Sequence, residues 1–251
     1  MSGRRIRAAG PAARPPDGSG IGTLPTSATR AGVRGLWQRL RQALVSATTA
    51  AGPRVDGGRL WTPDAAQLEF AGYAEDCRVF GFLRLDTERL TDYLNARQTY
   101  EVEGAIAVGL EDGRAIEAPQ LSVCRDELLA VRAAGPRGNA GRRARVRPYP
   151  VTLQAGPYTV HGYVHALPGA DPIRSLQRRK PMVPFTEAWI EYATGDDVQR
   201  ARVGTLIVNR ERIDWIAPSD DEAICLPDLP LDGAGGLLVK DFTGYILATG
   251  P

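Results

Sequence analysis

The sequence predicts a mainly β protein with two duplicated small β-barrels and one amphipathic helix before them. Three observations support this fold class. Short segments with alternating apolar and polar residues recur along most of the chain after residue 66. The apolar positions and turns of residues 66–133, the first unit, recur in the same order in residues 149–217, the second unit. A helical stripe of apolar residues occurs between residues 33 and 45, ahead of both units.

The N-terminal part of the chain contains a tail and a helix. Residues 1–30 are rich in Gly, Pro, Ala, Ser and Arg, so they are predicted to be a disordered tail. Residues 31–52 are predicted to form a basic amphipathic helix that ends at a Gly-Pro pair. Its apolar face consists of Val33, Leu36, Trp37, Leu40 and Leu44. Such a helix suits an anionic membrane surface or a partner's groove, and the alternative is packing on the chain's own domain.

Each unit is predicted to contain five short strands, with a short helix between the second and third. In the first unit, the helix is the segment ERLTDYLN, with Leu90, Tyr93 and Leu94 facing inward. Gly81 interrupts the second strand, where a glycine marks a tight bend or a close backbone approach. Five short, bent, antiparallel strands favour a small barrel of SH3-like or OB-like type. The strands of the first unit are predicted at residues 67–71, 77–85, 99–110, 114–124 and 127–133.

The duplication is inferred from an alignment of the two units. Gly81 aligns with Gly162 and Arg125 with Arg210, so the offset grows from 81 to 85 residues. Small insertions in turns explain that drift. Because turns and apolar positions agree over the same alignment, we interpret the two units as copies of one ancestral unit.

The segments that flank the second unit differ in charge. The linker, residues 134–148, lies in a stretch from 132 to 147 with six arginines and no acid. Together with residues 174–180 and the basic N-terminal segment, it suggests salt-dependent phosphate binding. The alternative is a solvated, flexible linker. Residues 218–251 are predicted to be an acidic segment, able to neutralise those clusters, followed by a C-terminal β extension.

One set of motifs resembles the paired motifs of Sm-like barrels. The first unit has Gly81 and Leu83, then Asp92 and Asn95, and both units end in an apolar-Arg segment, VCRDELLAV and VNRERIDWI. The resemblance covers both units, about half of the chain, and implies RNA contacts at Asn95, Arg125 and Arg210. The glycine that normally follows the arginine is absent, the helix is an insertion, and the second unit has no counterpart of Asn95. Tandem blocks of this type are also similar to uncharacterised bacterial domain families with no assigned activity.

The second strand of each unit has an aromatic and basic face. Alternation places three of its side chains together in each unit. Such a face suits stacking of single-stranded RNA, and the alternative is burial of the rings under the N-terminal helix or between the barrels. Two of the residues are histidines with no third ligand nearby, so no metal site is predicted. The face comprises Phe80, Phe82 and Arg84 in the first unit, and His161, Tyr163 and His165 in the second.

Composition and missing motifs restrict the function. The net charge is +2, the three cysteines are isolated, and no apolar run approaches the ~18 residues of a membrane span. These features favour a cytoplasmic protein without a zinc site or disulfides. No Ser-hydrolase, zinc-protease or phosphate-loop motif is present, so no enzyme activity, cofactor or small-molecule substrate is predicted. The leading hypothesis is a non-catalytic interaction or regulatory module that binds a protein partner or itself. The alternatives are single-stranded RNA binding and membrane attachment through the helix.

Overall fold

The computed structural model describes residues 35–49, 66–134 and 145–224. The segments predicted as the disordered tail and the C-terminal β extension, and most of the predicted linker, lie outside these residues. The helices are α1 (Leu36–Thr49), α2 (Leu90–Ala96), α3 (Pro172–Gln177) and α4 (Asp221–Ile224). The strands of the first unit are β1 (Ala66–Ala74), β2 (Cys77–Leu85), β3 (Thr99–Gly109), β4 (Ala115–Cys124) and β5 (Leu128–Arg132). Those of the second unit are β6 (Arg147–Ala155), β7 (Tyr158–Ala166), β8 (Met182–Thr194), β9 (Asp197–Asn209) and β10 (Trp215–Pro218).

The strands form one antiparallel sheet in the order β10-β6-β7-β8-β9-β5-β1-β2-β3-β4. The predicted mainly β class is confirmed. The strand pairing does not close either unit into a separate barrel, because β9 of the second unit pairs with β5 of the first. The second unit also begins earlier than predicted, since β6 already starts at Arg147.

Both units arrange their strands in the same order, with the fifth strand beside the first. The pairing of the second and third strands shifts register at Gly81 in the first unit and at Gly162 in the second. The pairing between the first and fifth strands also matches, with Gly72 opposite Val131 and Leu153 opposite Ile216. These pairs follow the offsets of the sequence alignment, 81 residues at Gly72 and 85 at Val131.

The close backbone approach predicted at Gly81 is present. The φ angle of Gly81 is +154°, and a Cβ atom there would lie 2.5 Å from Cγ1 of Val102 and 2.7 Å from the Glu103 carbonyl oxygen. Any larger residue would therefore push β2 away from β3 at the bend.

The hydrophobic interior consists of two large clusters, one in each unit, and each contains residues from the other unit. Met182 and Ile207, from β8 and β9, belong to the cluster of the first unit. Tyr73 and Leu129, from β1 and β5, belong to the cluster of the second unit. The seam between β5 and β9 is therefore part of both cores.

The units also meet away from this seam, where two turns approach each other. The Gly195 backbone N–H, in the β8–β9 turn, donates to the Leu110 carbonyl oxygen in the β3–β4 turn at 2.9 Å. Nearby, Arg78 Nη1 donates to the Tyr192 hydroxyl at 2.6 Å, and its guanidinium lies 5.0 Å from the centre of that ring. The sheet is thus curled enough for β2 and β8, four strands apart, to touch.

Helix α1 packs on the first unit. Leu36 and Trp37 are buried in that unit's core. The Trp37 backbone N–H lies 3.1 and 3.2 Å from the two carboxylate oxygens of Asp76. A Cβ atom on Gly109 would lie 2.7 Å from the Trp37 ring, so this glycine makes room for the indole. Of the predicted apolar face, Leu40 is partly buried and Val33 lies outside the described residues.

Within residues 35–49, 66–134 and 145–224, no helix is both long and apolar enough to cross a membrane.

Candidate interaction surfaces

The outer face of β7 carries His161 and His165, and both imidazoles are held by neighbouring strands. The His161 ring stacks on Trp189 with centroids 3.9 Å apart and planes 8° from parallel. Its Nδ1 lies 2.9 Å from Thr152 Oγ1. His165 Nε2 lies 2.8 Å from Thr186 Oγ1. These contacts extend across β6, β7 and β8 and fix both rings in the face of the sheet.

The environment keeps both imidazoles neutral at pH 7. Burial lowers the pKa of His161 below its usual value of 6.5. Burial, and next the charge of Arg179, lower the pKa of His165 in the same direction. Neither ring therefore carries a positive charge that would attract a phosphate at this pH.

Tyr163, the third predicted residue of this face, contacts the C-terminal helix. Its hydroxyl donates to Asp221 Oδ1 of α4 at 3.0 Å. Helix α4 lies against β7 and β8, and its Ile224 is buried. The element that approaches the aromatic face of the second unit is therefore α4, and not the N-terminal helix considered from the sequence.

The corresponding face of the first unit is also largely occupied. Phe80 is 2% exposed and packs with Ala71 and Val108, so its ring cannot stack on a base. Phe82 is partly buried. The Arg84 guanidinium lies 2.8 Å from the Glu103 carboxylate, which balances its charge. The structure thus brings the six predicted residues onto strand faces without leaving a continuous platform of open rings and free cations among them.

At the seam, Asn95 of α2 binds the backbone of the second unit. Asn95 Nδ2 donates to the Met182 carbonyl oxygen at 2.8 Å, and the Met182 N–H donates to Asn95 Oδ1 at 3.0 Å. The side-chain amide satisfies both backbone groups of one residue, as a neighbouring strand would. Helix α2 is anchored for this contact by three buried side chains, Leu90, Tyr93 and Leu94, as the sequence predicts.

Asn209 makes a similar contact in the opposite direction. Its side chain is 1% exposed, and Nδ2 lies 3.3 Å from the Arg125 carbonyl oxygen and 3.2 Å from that of Leu128. Each unit therefore gives one asparagine to the backbone of the other. Asn209 was not among the residues predicted from the sequence. It directly precedes Arg210, at the position where the first unit has Cys124, and this difference between the units could have identified it.

The two motif arginines lie beside these asparagines. Each begins a 3-10 turn, and their backbone N–H groups donate to Gln98 and Pro181 at 2.7 and 2.8 Å. Arg210 Nε also donates to the Arg179 carbonyl oxygen at 2.6 Å. The Arg125 side chain is 12% exposed, and its Nε is buried without a hydrogen-bond partner among the described residues. The fold thus gathers Asn95, Arg125 and Arg210 at one end of the seam, although they are distant in sequence.

The outer edges of the sheet are β4 and β10. Within the part of the chain that the structure describes, each of them pairs with one strand. Ser122 and Cys124 on β4 are exposed, whereas their equivalents on β9, Ile207 and Asn209, are buried at the seam. On β10, Trp215 is 39% exposed. Among the described residues, the edges therefore repeat the strand chemistry of the seam without a paired strand.

Among the described residues, no three His, Cys, Asp or Glu side chains are grouped to hold a metal ion. Comparison of the chain with protein-family models, curated proteins and solved structures gives no significant match.

Proposed function

We propose that this protein is a non-catalytic interaction module that binds polypeptide through the edges of its sheet. The observation that carries the proposal is the seam, where one unit already binds the other by strand addition. Strand β9 pairs with β5, and Asn95 and Asn209 attach the flanking backbone. Backbone pairing of this kind is a general mode of peptide recognition, in which main-chain hydrogen bonds provide affinity and adjacent side chains provide specificity.

We further propose that the two units are duplicated small barrels of the Sm-like type. The equal strand order, the matched register shifts and the strand pairings that follow the alignment offsets support this interpretation. The resemblance carried by Gly81, Asn95 and the two motif arginines adds to it. In a duplicated protein of this kind, every surface that joins the units has a second version at the ends of the pair.

The edge-binding function is tested by photo-crosslinking of the full chain in its native cells. A photoreactive residue at Ser122 or Trp215 is expected to give covalent adducts with protein. Val198, an exposed apolar residue of β9 outside the seam, serves as the matched control position. Equal or lower adduct yields at the edges than at Val198 would contradict the proposal.

RNA binding is a second candidate, favoured by one observation. Asn95, Arg125 and Arg210 lie at the same end of the seam, and the buried Arg125 Nε, 3.6 Å from Asp126 Oδ1, has no hydrogen-bond partner in the described ranges. The test is fluorescence anisotropy with labelled single-stranded RNA at low and physiological salt. Binding that survives moderate salt and falls in Arg125→Gln, but not in Arg200→Gln, would support an RNA site at the seam. Salt-labile binding that both variants share would count against it.

Membrane attachment through α1 receives less support from the geometry. Leu36 and Trp37, two residues of the proposed membrane face, are buried in the core of the first unit. Insertion of this face into a bilayer requires the helix to leave the domain, at the cost of that burial.

A further inference from the structure

We propose that the protein assembles head to tail with further copies of itself, by addition of β10 of one copy to β4 of the next. This inference rests on the proposed edge-binding function and names its partner as a second copy of this chain. The seam inside the chain serves as the template for the contact between chains.

The internal seam defines a register for that contact. At the seam, Ala130, Val131 and Arg132 of β5 pair with Val208, Ile207 and Leu206 of β9. The offset of 85 residues carries β5 to β10 and β4 to β9. The equivalent pairs between copies are therefore Trp215 with Val123, Ile216 with Ser122, and Ala217 with Leu121.

The seam also identifies the backbone groups of β4 that point outward. Ala133 N–H donates to the Thr205 carbonyl oxygen at 2.8 Å, so alternate residues of β9, at 205 and 207, face β5. Their equivalents on β4 are Gln120 and Ser122. The Cys124 N–H points to the same side, where the Glu127 carboxylate accepts it at 2.9 Å. The open side of β4 thus presents the donors and acceptors that β9 uses at the seam.

The proposed contact differs from the seam at two positions of β10. Pro218 is the equivalent of Ala133, which follows β5. Because proline has no N–H, pairing ends at Ala217. Trp215 stands in place of the small Ala130, and its ring, 39% exposed, would lie beside β4 of the next copy. Compared with the seam, the contact therefore loses one hydrogen bond and gains the burial of an aromatic ring.

The proposed register also places a residue of the next copy beside α3. In the first unit, the end of α2 receives the first residue of β8 through Asn95. In the second unit, the equivalent helix α3 borders an open groove. Thr99, the equivalent of Met182, would enter this groove from the next copy if β10 and β4 pair in the proposed register. The groove is lined by Leu167, Ala170, Asp171, Arg174, Ser175 and Arg178.

The contact is heterologous, because β10 and β4 are different surfaces. Each added copy leaves one edge of each kind open until the two ends meet, so the products are closed rings or extended chains. A dimer formed by pairing β4 with β4, or β10 with β10, is not compatible with this register.

Light scattering after size-exclusion chromatography of the full chain tests the assembly. The wild-type chain is expected to have the mass of several copies and to dissociate on dilution. Ser122→Pro removes one outward N–H on β4, and Trp215→Glu replaces the apolar ring at the contact with a charge; both are expected to be monomers. The matched controls, Ser122→Thr and Val198→Glu, are expected to keep the wild-type mass. Unchanged circular dichroism of all four variants ensures that the folded state is compared.

Disulfide trapping tests the register. In a Cys225→Ser background, a chain with Asp214→Cys and Cys124→Ser is mixed with a chain that keeps Cys124. Residues 214 and 124 lie next to the Trp215–Val123 pair, so mild oxidation is expected to give mixed dimers in excess over either homodimer. Asp196→Cys, in an exposed turn, replaces Asp214→Cys in the control and is expected to give no such excess.

Two results would overturn the inference. One is a monomeric mass at all concentrations up to the solubility limit. The other is an assembly that Ser122→Pro and Trp215→Glu leave intact. Photo-crosslinks from Ser122 to a different protein, with a monomeric chain, would remove self-assembly while retaining the edge-binding function. Absence of crosslinks together with a monomeric mass would remove both.

Discussion

At the scale of single residues, the second unit keeps one strained position that the first unit avoids. Glu187 has a φ angle of +50°, in the left-handed region that non-glycine residues rarely adopt. The equivalent position in the first unit is Gly104, with a φ angle of +54°. Both lie at the register shift between the second and third strands, so the bend requires this conformation in each unit.

Glu187→Gly is therefore expected to stabilise the protein by about 1 kcal/mol, since relief of the strain exceeds the entropic cost of glycine. Urea denaturation measures the change in the free energy of unfolding. The matched control, Gly104→Ala, introduces the same strain into the first unit and is expected to destabilise. A stability loss in Glu187→Gly would mean that the glutamate makes a contact worth more than the strain.

The two histidines predict how stability depends on pH. Their folded pKa values lie below the unfolded value of 6.5, so the unfolded chain binds more protons as the pH falls. The contribution of the histidines to stability is expected to be constant above about pH 7.5 and to decrease from about pH 6.5 downward, until the folded imidazoles also titrate. Urea midpoints of the wild type and of His161→Gln/His165→Gln at pH 7.5 and 5.5 test this. An equal decrease in both proteins would assign the pH dependence to other groups.

At the scale of elements, the short helix between the second and third strands attaches the two units to each other. Helix α2 is held by its buried side chains and extends Asn95 to the start of β8. The equivalent helix α3 is itself capped, since Asp171 Oδ1 accepts the N–H groups of Ile173 and Arg174 at 2.9 and 3.2 Å. The helix insertion thus serves as a connector in the first unit and borders an open groove in the second.

Asn95→Ala is expected to lower the free energy of unfolding by about 1–3 kcal/mol, because Met182 is buried and its N–H and C=O lose their partner. Gln120→Ala removes an exposed amide on β4 and is the matched control, expected to change stability by less than about 0.5 kcal/mol. Both are measured by urea denaturation. Equal small effects would mean that water replaces the amide at the seam.

At the scale of the whole molecule, the shared cores predict that both units unfold together. Ile207 lies on β9 but belongs to the core of the first unit. A defect at this residue therefore acts on both units through the seam, and not on the second unit alone.

Ile207→Ala is expected to cost about 2–5 kcal/mol and to raise amide exchange in β1–β3 as well as in β8 and β9. Hydrogen exchange of the full chain, measured by mass spectrometry, gives both the free-energy cost and the exchange rates of these strands. Val203→Ala, in the core of the second unit and away from the seam, is the comparison. Faster exchange confined to β6–β10 in Ile207→Ala would show that the units open independently.

The sequence by itself determined the local elements. Alternation of apolar residues located the strands to within a few residues, Gly81 marked the bend, and Leu90, Tyr93 and Leu94 identified the buried face of α2. These features depend on a residue and its near neighbours, and so they are readable from a local pattern. The alignment offsets also match the pairing that each unit adopts.

Only the tertiary structure decided how the units meet and which surfaces remain open. Pairing of β9 with β5 joins the units into one sheet, and backbone pairing between distant strands leaves little trace in side-chain patterns. The aromatic face illustrates the same limit: alternation placed Phe80 and His161 on equivalent faces, while packing buried one and stacked the other on Trp189. Contacts between residues far apart in the chain therefore occupy most of the predicted binding face. Among the described residues, the edges of the sheet remain as the candidate binding surfaces.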